Sequence, residues 1–538
     1  MKRTLSQALD AAHPLEKYRD VVFLCLVLAI ALIPVFLAKH PPLADYPNHL
    51  ARAYIIANHE TVPEFQEVYD VRWSVLPNLS MDIFVPVLAR FTDVFTAGQV
   101  FVALTLVTLV VGCALMNRTM YGRLSLGAAL SGCILYNLIL SWGFLNYLFS
   151  LGLCLITFHF YLAYRRQYLK QLLVCAPLCL ALFFSHLYGF CVYGVLVIAH
   201  ALSETPLGQE RSRLLGLARV LAKAAAQAVL PILLFLFYSD TATATPLYYY
   251  GGIGQKLFGF AYLFLSYNPK VDIVCLVALV ILILYKSDRK TLRIANYALG
   301  AIVFLCALYL AMPSVVLSSA IADRRLLVAI GFIAAASLGL RSRTSGEWVL
   351  TASAILLVIC LQVATAAASW AASEKRLSPY LSAFALIEPG STVSLAIDKE
   401  VNWLPITMRH VASYLVIYRH AFAPNIFASK GQQPLSLTPE YEALRKDLDV
   451  AENFTFLLKE NLETGAGDAA ERIRARFSGY DYLLVMWAAP YGPESLSQDL
   501  EVVYRGPDFL MYDLRQRSAS GPWPRTPPPG ASRSETSG

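Results

Sequence analysis

The stretch PPLADYPNHLARAYII, residues 41–56, sets an aspartate, a histidine and an arginine at the mouth of the first long apolar run. Asp45, His49 and Arg52 are spaced four and three apart, so they share a face if the chain is helical from about Pro47. These are residue types from which a reaction site is built, and Asn48 sits in the same turn. A plainer reading is that Asp45 only caps the helix; a capping aspartate can still be catalytic.

Three later segments add polar side chains close to apolar runs. LSWGFLNYLF (140–149) carries Asn146 beside Trp142 and Tyr147, whose rings read as interfacial anchors. FFSHLYGF (183–190) places His186 at the joint of two short apolar segments, either as a structural histidine or as a ligand. PSVVLSSAIADRRLL (313–327) puts Asp323, Arg324 and Arg325 immediately before a span. There a guanidinium either snorkels or pairs with Asp323, or its planar fork binds a phosphate at the membrane surface. The loop SDTATATPLYYYGGIGQK (239–256), with Tyr249, either lines a sugar or lipid path or is a connector.

The elements that must position these residues are membrane helices. The chain is 57% hydrophobic and 15% charged, with a mean hydropathy of +0.53, against roughly 25% charged in soluble domains. Apolar runs of spanning length recur from Val21 to about Trp370, near 21–38, 97–116, 124–141, 146–164, 171–185, 189–202, 224–239, 271–285, 294–312, 326–340 and 347–370. That predicts about eleven transmembrane helices. The first run lacks a small-residue cleavage site and reads as a retained span. All 10 cysteines fall inside apolar runs, which leaves neither a disulfide framework nor a thiolate metal site.

Basic residues crowd one side of this layout, among them Lys17, Arg19, Arg123, Arg165, Arg166, Arg289, Arg341 and Arg343. The positive-inside rule makes that side, with the N-terminus, cytoplasmic. An odd number of spans then carries residues 41–56 and the C-terminal part to the far side, which is the periplasm if the membrane is a bacterial inner membrane. The segment 75–91, with Asp82 and Arg90, suits an amphipathic interfacial helix better than a crossing. The loop 39–96 is therefore long and helical, and long connections are usually functional.

From Glu374 to Leu514 the composition becomes mixed. GSTVSLAID (390–398), YDYLLVMW (480–487) and LEVVYRGPDFLMYDL (500–514) read as strands. Residues 439–462 and 467–477 read as helices, with Pro439 and Asp468 as start signals, giving a small α/β domain. RHVASYLVIYRHAFAPNIFASKGQQP (409–434) either touches an acceptor or is ordinary packing over the membrane cavity. The resulting division is an N-terminal segment 1–20, a transmembrane domain 21–370, an α/β domain 371–515 and a disordered tail 516–538. The fold class is mainly α and polytopic, with interfacial helices in the first outer loop and a C-terminal α/β domain.

An acid just after the first span (Asp45 in LADYPNHLAR), interfacial helices in the first outer loop, an arginine before a late span (IADRRLL) and a C-terminal soluble domain together resemble the GT-C superfamily. These are integral-membrane glycosyltransferases that use polyprenyl-phosphate-linked sugars. DYPNHLAR with GFLNYLFSLGL is also similar to a set of bacterial polytopic proteins grouped near those enzymes. The resemblance covers the chain as a layout. It implies a polyprenyl-phosphate-sugar donor, a glycan or lipid acceptor, and Asp45 as general base or as a ligand to Mg2+ or Mn2+. It further implies Arg324, Arg325 and Arg52 at the donor phosphate, with His49 assisting. Asn48, Asn146, His186, Asp82 and Tyr249 would line the cavity. The chain departs from the pattern where many members carry two adjacent acids, since here the loop reads ADY; without a metal, arginines would carry the phosphate's charge.

Two other classes compete with a transferase active in envelope glycan assembly. One is an inactive accessory protein of polysaccharide assembly, kept open by the single acid. The other is a transporter, disfavoured because the polar residues lie at span ends and not near the midplane. Nucleic-acid binding has no support, since the formal net charge of +7 follows from the cytoplasmic loops.

Overall fold

The computed structural model describes residues 14–204, 210–238, 248–316, 320–398, 408–446, 450–463, 469–487 and 500–515. The expected tail 516–538, the start signal Asp468, residues 1–13 and residues 239–247 of the Tyr-rich loop lie outside the described residues.

Helix α1 (Pro14–Leu37) leads into the first outer loop, which holds α2 (Tyr46–Asn58), α3 (Pro63–Val68), β1 (Tyr69–Val71) and α4 (Ser80–Leu88). A bundle follows: α5 (Val94–Tyr121), a 3-10 stretch Leu126–Ile134, α6 (Leu138–Ser141), α7 (Leu145–Ala163), α8 (Tyr168–Ser185), α9 (Leu187–Glu204) and α10 (Glu210–Tyr238). Next come α11 (Ile253–Gly259), α12 (Pro269–Asp288), β2 (Leu292–Ile294), α13 (Asn296–Ala311), α14 (Ala322–Ser337), β3 (Leu338–Leu340) and α15 (Ser345–Phe384). Among the described residues, 7 helices are long and apolar enough to cross a membrane. The protein is a mainly helical, polytopic membrane protein with a small α/β part at its C-terminal end.

One expected span takes a different form. Residues 124–141 are not one helix but the 3-10 stretch followed by short α6. Asn137 is the reason: its Oδ1 accepts from the backbone N–H groups of Ile139 and Leu140, which caps a new helix and ends the old one. Elsewhere the bundle closes tightly. A Cβ on Gly112 would lie 2.7 Å from the carbonyl oxygen of Gly152, so α5 and α7 meet backbone to backbone, as small residues allow in membrane helices.

Helix α4 shows why 75–91 does not cross. Ser80, Met81, Asp82 and Val85 are buried, while Ile83, Phe84 and Val87 are exposed. Its Asp82 turns into the protein and its apolar side chains outward, and at 9 residues the helix is far short of the about 20 that cross a bilayer.

Helix α15 contains 40 residues, a length of roughly 60 Å at 1.5 Å per residue. That is about twice the hydrocarbon thickness, so the helix runs on through Trp370 and carries the last span into the C-terminal part. There β4 (Val393–Ile397), β6 (Tyr482–Met486), β8 (Phe509–Asp513) and β7 (Glu501–Arg505) form a sheet in that order. β4 and β6 are parallel and the other pairs antiparallel. Segment 500–514 is thus a hairpin of two strands. The helices α16 (Tyr414–Arg419), α17 (Pro439–Lys446), α18 (Val450–Glu463) and α19 (Ala469–Arg476) lie in the β4–β6 crossover, with β5 (Leu435–Leu437).

The first outer loop and the C-terminal part are joined directly. β1 pairs with β5, Tyr69 facing Leu437 and Val71 facing Leu435, and Arg72 N donates to Pro434 O at 2.7 Å. Buried His40 adds a second tie: Nδ1 lies 2.6 Å from Glu374 on α15 and Nε2 lies 2.8 Å from the Tyr418 hydroxyl on α16.

Candidate functional site

Where the first outer loop, the bundle and the C-terminal part meet, a cleft of about 450 Å³ opens, within the size range of small-molecule sites. Its walls include Asp45 and His49 from the loop, Asn146 and Tyr147 from α7, and His186 and Arg325 from the bundle. Arg409, His410, Ser429 and Gln433 come from the C-terminal part.

Asp45 occupies the N-cap position of α2, yet its side chain makes no capping hydrogen bond. What fixes it is backbone pairing: Ala44 N donates to Ser141 O at 2.9 Å and Asp45 N to Trp142 O at 3.1 Å. The next residue, Gly143, has φ +81° and stands so close that a Cβ would lie 3.0 Å from Asp45 N. The carboxylate is thereby left facing the cleft, 3.4 Å from His410 Nε2.

Asn48 sets the tautomer of His410. Its Oδ1 accepts from Phe427 N, so its amide nitrogen donates, to Asn425 O at 2.6 Å and to His410 Nδ1 at 3.3 Å. Nδ1 is then the acceptor and Nε2 carries the hydrogen toward Asp45. Asn48 is buried and does not line the cleft.

Arg52 is committed elsewhere. Nε and Nη2 reach the two oxygens of Asp82 at 2.6 and 2.8 Å, and Nη2 lies 2.9 Å from His49 Nδ1. Both side chains of the pair are buried. Neither Arg52 nor Asp82 lines the cleft; their pair docks α2 on α4 and orients His49. Burial, then Arg52, then His410 push the His49 pKa well below the ordinary histidine value, so its ring is neutral.

The two arginines expected at the phosphate part company. Asp323 is held by Lys256 at 2.6 Å and by the Ser314 hydroxyl at 3.0 Å. Arg324 stacks over Tyr262, 4.4 Å from the ring centre, and is not in the cleft lining. Arg325 points into the cleft, over Phe144 at 4.3 Å. His186 Nδ1 accepts from Tyr188 N at 3.1 Å, so His186 Nε2 carries a hydrogen. That nitrogen sits 3.5 Å from Arg325 Nη1, which places two donors side by side; an anion between them would accept from both. Burial and Arg325 hold the His186 pKa low.

Asn146 lines the cleft but is mainly a fastener, accepting from Met81 N at 2.8 Å and donating to Asn78 Oδ1 at 2.9 Å. Tyr249 is exposed, pairs through its backbone with Val315, and is not in the lining. Arg409 and His410 were not singled out from the sequence. Their one signal there is the polar stretch 409–434, and nothing in it says which residues would face the membrane helices.

The donor set suits anions better than a divalent cation. Among the described residues no three His, Cys, Asp or Glu side chains gather as metal ligands. Among the described residues Asp45 is the one acid in the cleft lining, which also holds Arg325 and Arg409, whereas Mg2+ and Mn2+ sites are built from hard oxygen ligands.

No family model and no curated relative matches this chain. A solved structure, ArnT from Cupriavidus metallidurans bound to undecaprenyl phosphate, is similar with a TM-score of 0.49 and 11% identity, covering 94% of this chain and 99% of that one. Likeness of that degree says nothing about the roles of residues here.

Proposed function

We propose that this chain is a membrane glycosyltransferase of GT-C type, moving a sugar from a polyprenyl-phosphate donor to an acceptor hydroxyl in envelope glycan assembly. The observation that carries this reading is one cleft lined by both a positioned carboxylate, Asp45–His410, and converging donors, Arg325–His186. In this reading Asp45 takes the proton of the acceptor hydroxyl, with His410 N–H orienting the carboxylate. The acceptor oxygen bonds to the sugar's anomeric carbon as the bond from that carbon to phosphate oxygen breaks. The phosphodiester becomes a monoester and gains one negative charge, which Arg325 and His186 meet with donors already in place. Arg409, stacked over Trp142 at 5.8 Å, adds a second guanidinium at the rim. Here Arg325, rather than Arg324 or Arg52, is the phosphate-binding arginine. The cleft and the α/β domain face the periplasm, and the N-terminus the cytoplasm.

The test is transfer by purified protein from a panel of undecaprenyl-phosphate sugars into membrane lipid extract, with Mg2+, Mn2+ or a chelator. Wild type is expected to transfer equally with metal or chelator. Asp45→Asn is expected to lose at least ~100-fold in rate, the scale of general-base loss, with an unchanged melting temperature. Normal turnover by that variant would remove the assignment. Inactivity of wild type with every donor would favour the accessory-protein reading.

A further inference from the structure

At the opposite, basic-rich end of the bundle, three arginines from three separate segments meet at one small concavity. Arg19 lies on α1, Arg123 between α5 and the 3-10 stretch, and Arg341 just after β3; Tyr121, Ser342 and Trp348 are among the other lining residues. We propose that this concavity binds the phosphate of an anionic phospholipid headgroup. The reading is independent of the glycosyl-transfer site.

Charge is the first argument. Among the described residues Asp20 is the one acid in the lining, and it accepts a hydrogen bond from Trp348 Nε1 at 2.6 Å. Glu347, in the first turn of α15, is held by Lys286 at 2.8 Å. Among the described residues neither Arg123 nor Arg341 has an ion-pair partner, so the concavity keeps a positive excess. Arg19 lies over the Trp348 ring at 5.1 Å, and that ring is itself held by Asp20, which sets the guanidinium in place.

Size and depth are the second. About 30 Å³ is open within it, room for a group of a few atoms and not for a nucleotide's base and sugar. Arg19 stands just before the apolar run that begins at Val21, Tyr121 is the last residue of α5, and Trp348 is in the first turn of α15. All three mark ends of apolar spans, where headgroups meet a membrane protein, and basic pockets between such ends suit anionic lipids. Arginines that only set topology need not converge; these do, with a hydroxyl and two aromatic rings.

The experiment is a lipid titration of the purified full-length protein by native mass spectrometry, comparing phosphatidylglycerol with phosphatidylcholine, with equimolar inorganic phosphate as competitor. Wild type is expected to prefer phosphatidylglycerol and to ignore the phosphate. Each arginine replaced in the series R19Q, R123Q, R341Q is expected to weaken that binding about fivefold. Ser342→Glu, which keeps the arginines and places a like charge at the site, is expected to weaken it too. R165Q/R166Q, on the same side but outside the concavity, should leave it unchanged. No headgroup preference in wild type, retained preference in both the triple variant and Ser342→Glu, or equal loss in R165Q/R166Q would overturn the proposal. Displacement of the lipid by inorganic phosphate would overturn it as well, assigning the concavity to the free anion.

Discussion

Asp82 and Arg52 behave as one unit. Their side chains are 0% and 1% exposed, and a buried ion pair is stable only while both charges are present. Asp82→Asn leaves a guanidinium buried without its carboxylate and is expected to destabilise the protein by about 3–5 kcal/mol. Replacing both, as R52M/D82L, is expected to recover most of that loss. Thermal unfolding in detergent reads both; a melting temperature unchanged in Asp82→Asn would mean that the pair contributes nothing to docking α4. Asp45 differs in kind, because it is partly exposed and its carboxylate makes no cap, so its loss should be felt in turnover and not in folding.

At the scale of elements, the turn between α6 and α7 is what aims Asp45. Gly143 has φ +81°, a conformation that costs a side chain roughly 1–2 kcal/mol, and a Cβ there would press on the backbone of Asp45. Gly143→Ala is therefore expected to shift the carboxylate. An ångström of misplacement lowers rate by up to about 100-fold, so transfer should fall far more than the melting temperature does. Equal turnover by Gly143→Ala and wild type would show that the turn does not set the carboxylate's position. The first outer loop, which carries Asp45, depends on the β1–β5 ladder and the His40–Glu374 contact, which lock it to the C-terminal part. A site made by three regions of the chain needs such ties to hold its geometry.

At the scale of the whole molecule, the two ends of the bundle carry opposite features: the cleft at one, the arginine concavity at the other. The proposed orientation predicts that a membrane-impermeant thiol reagent labels Ser429→Cys in intact spheroplasts and labels Ser342→Cys only after lysis. The native cysteines lie on apolar helices or, for Cys133, in the 3-10 stretch, where such a reagent finds little thiolate. Labelling in the reverse pattern would invert the topology and move the cleft to the cytoplasm.

Much of the fold was legible in the sequence, because hydrophobic runs are local signals that bilayer thickness converts into helices. The candidate Asp45, the interfacial nature of α4 and the strands of the C-terminal part come from such local patterns. The spacing of Asp45, His49 and Arg52 put them on one helix face, but it could not say that Arg52 would turn to Asp82. Nor could the dipeptide Arg324–Arg325 say which guanidinium enters the cleft, since that depends on Lys256 claiming Asp323 and Tyr262 receiving Arg324. His410 reaches Asp45 across most of the chain's length. Such a contact is a product of tertiary packing, in which non-local neighbours compete for each charge, and no sequence window holds both partners at once.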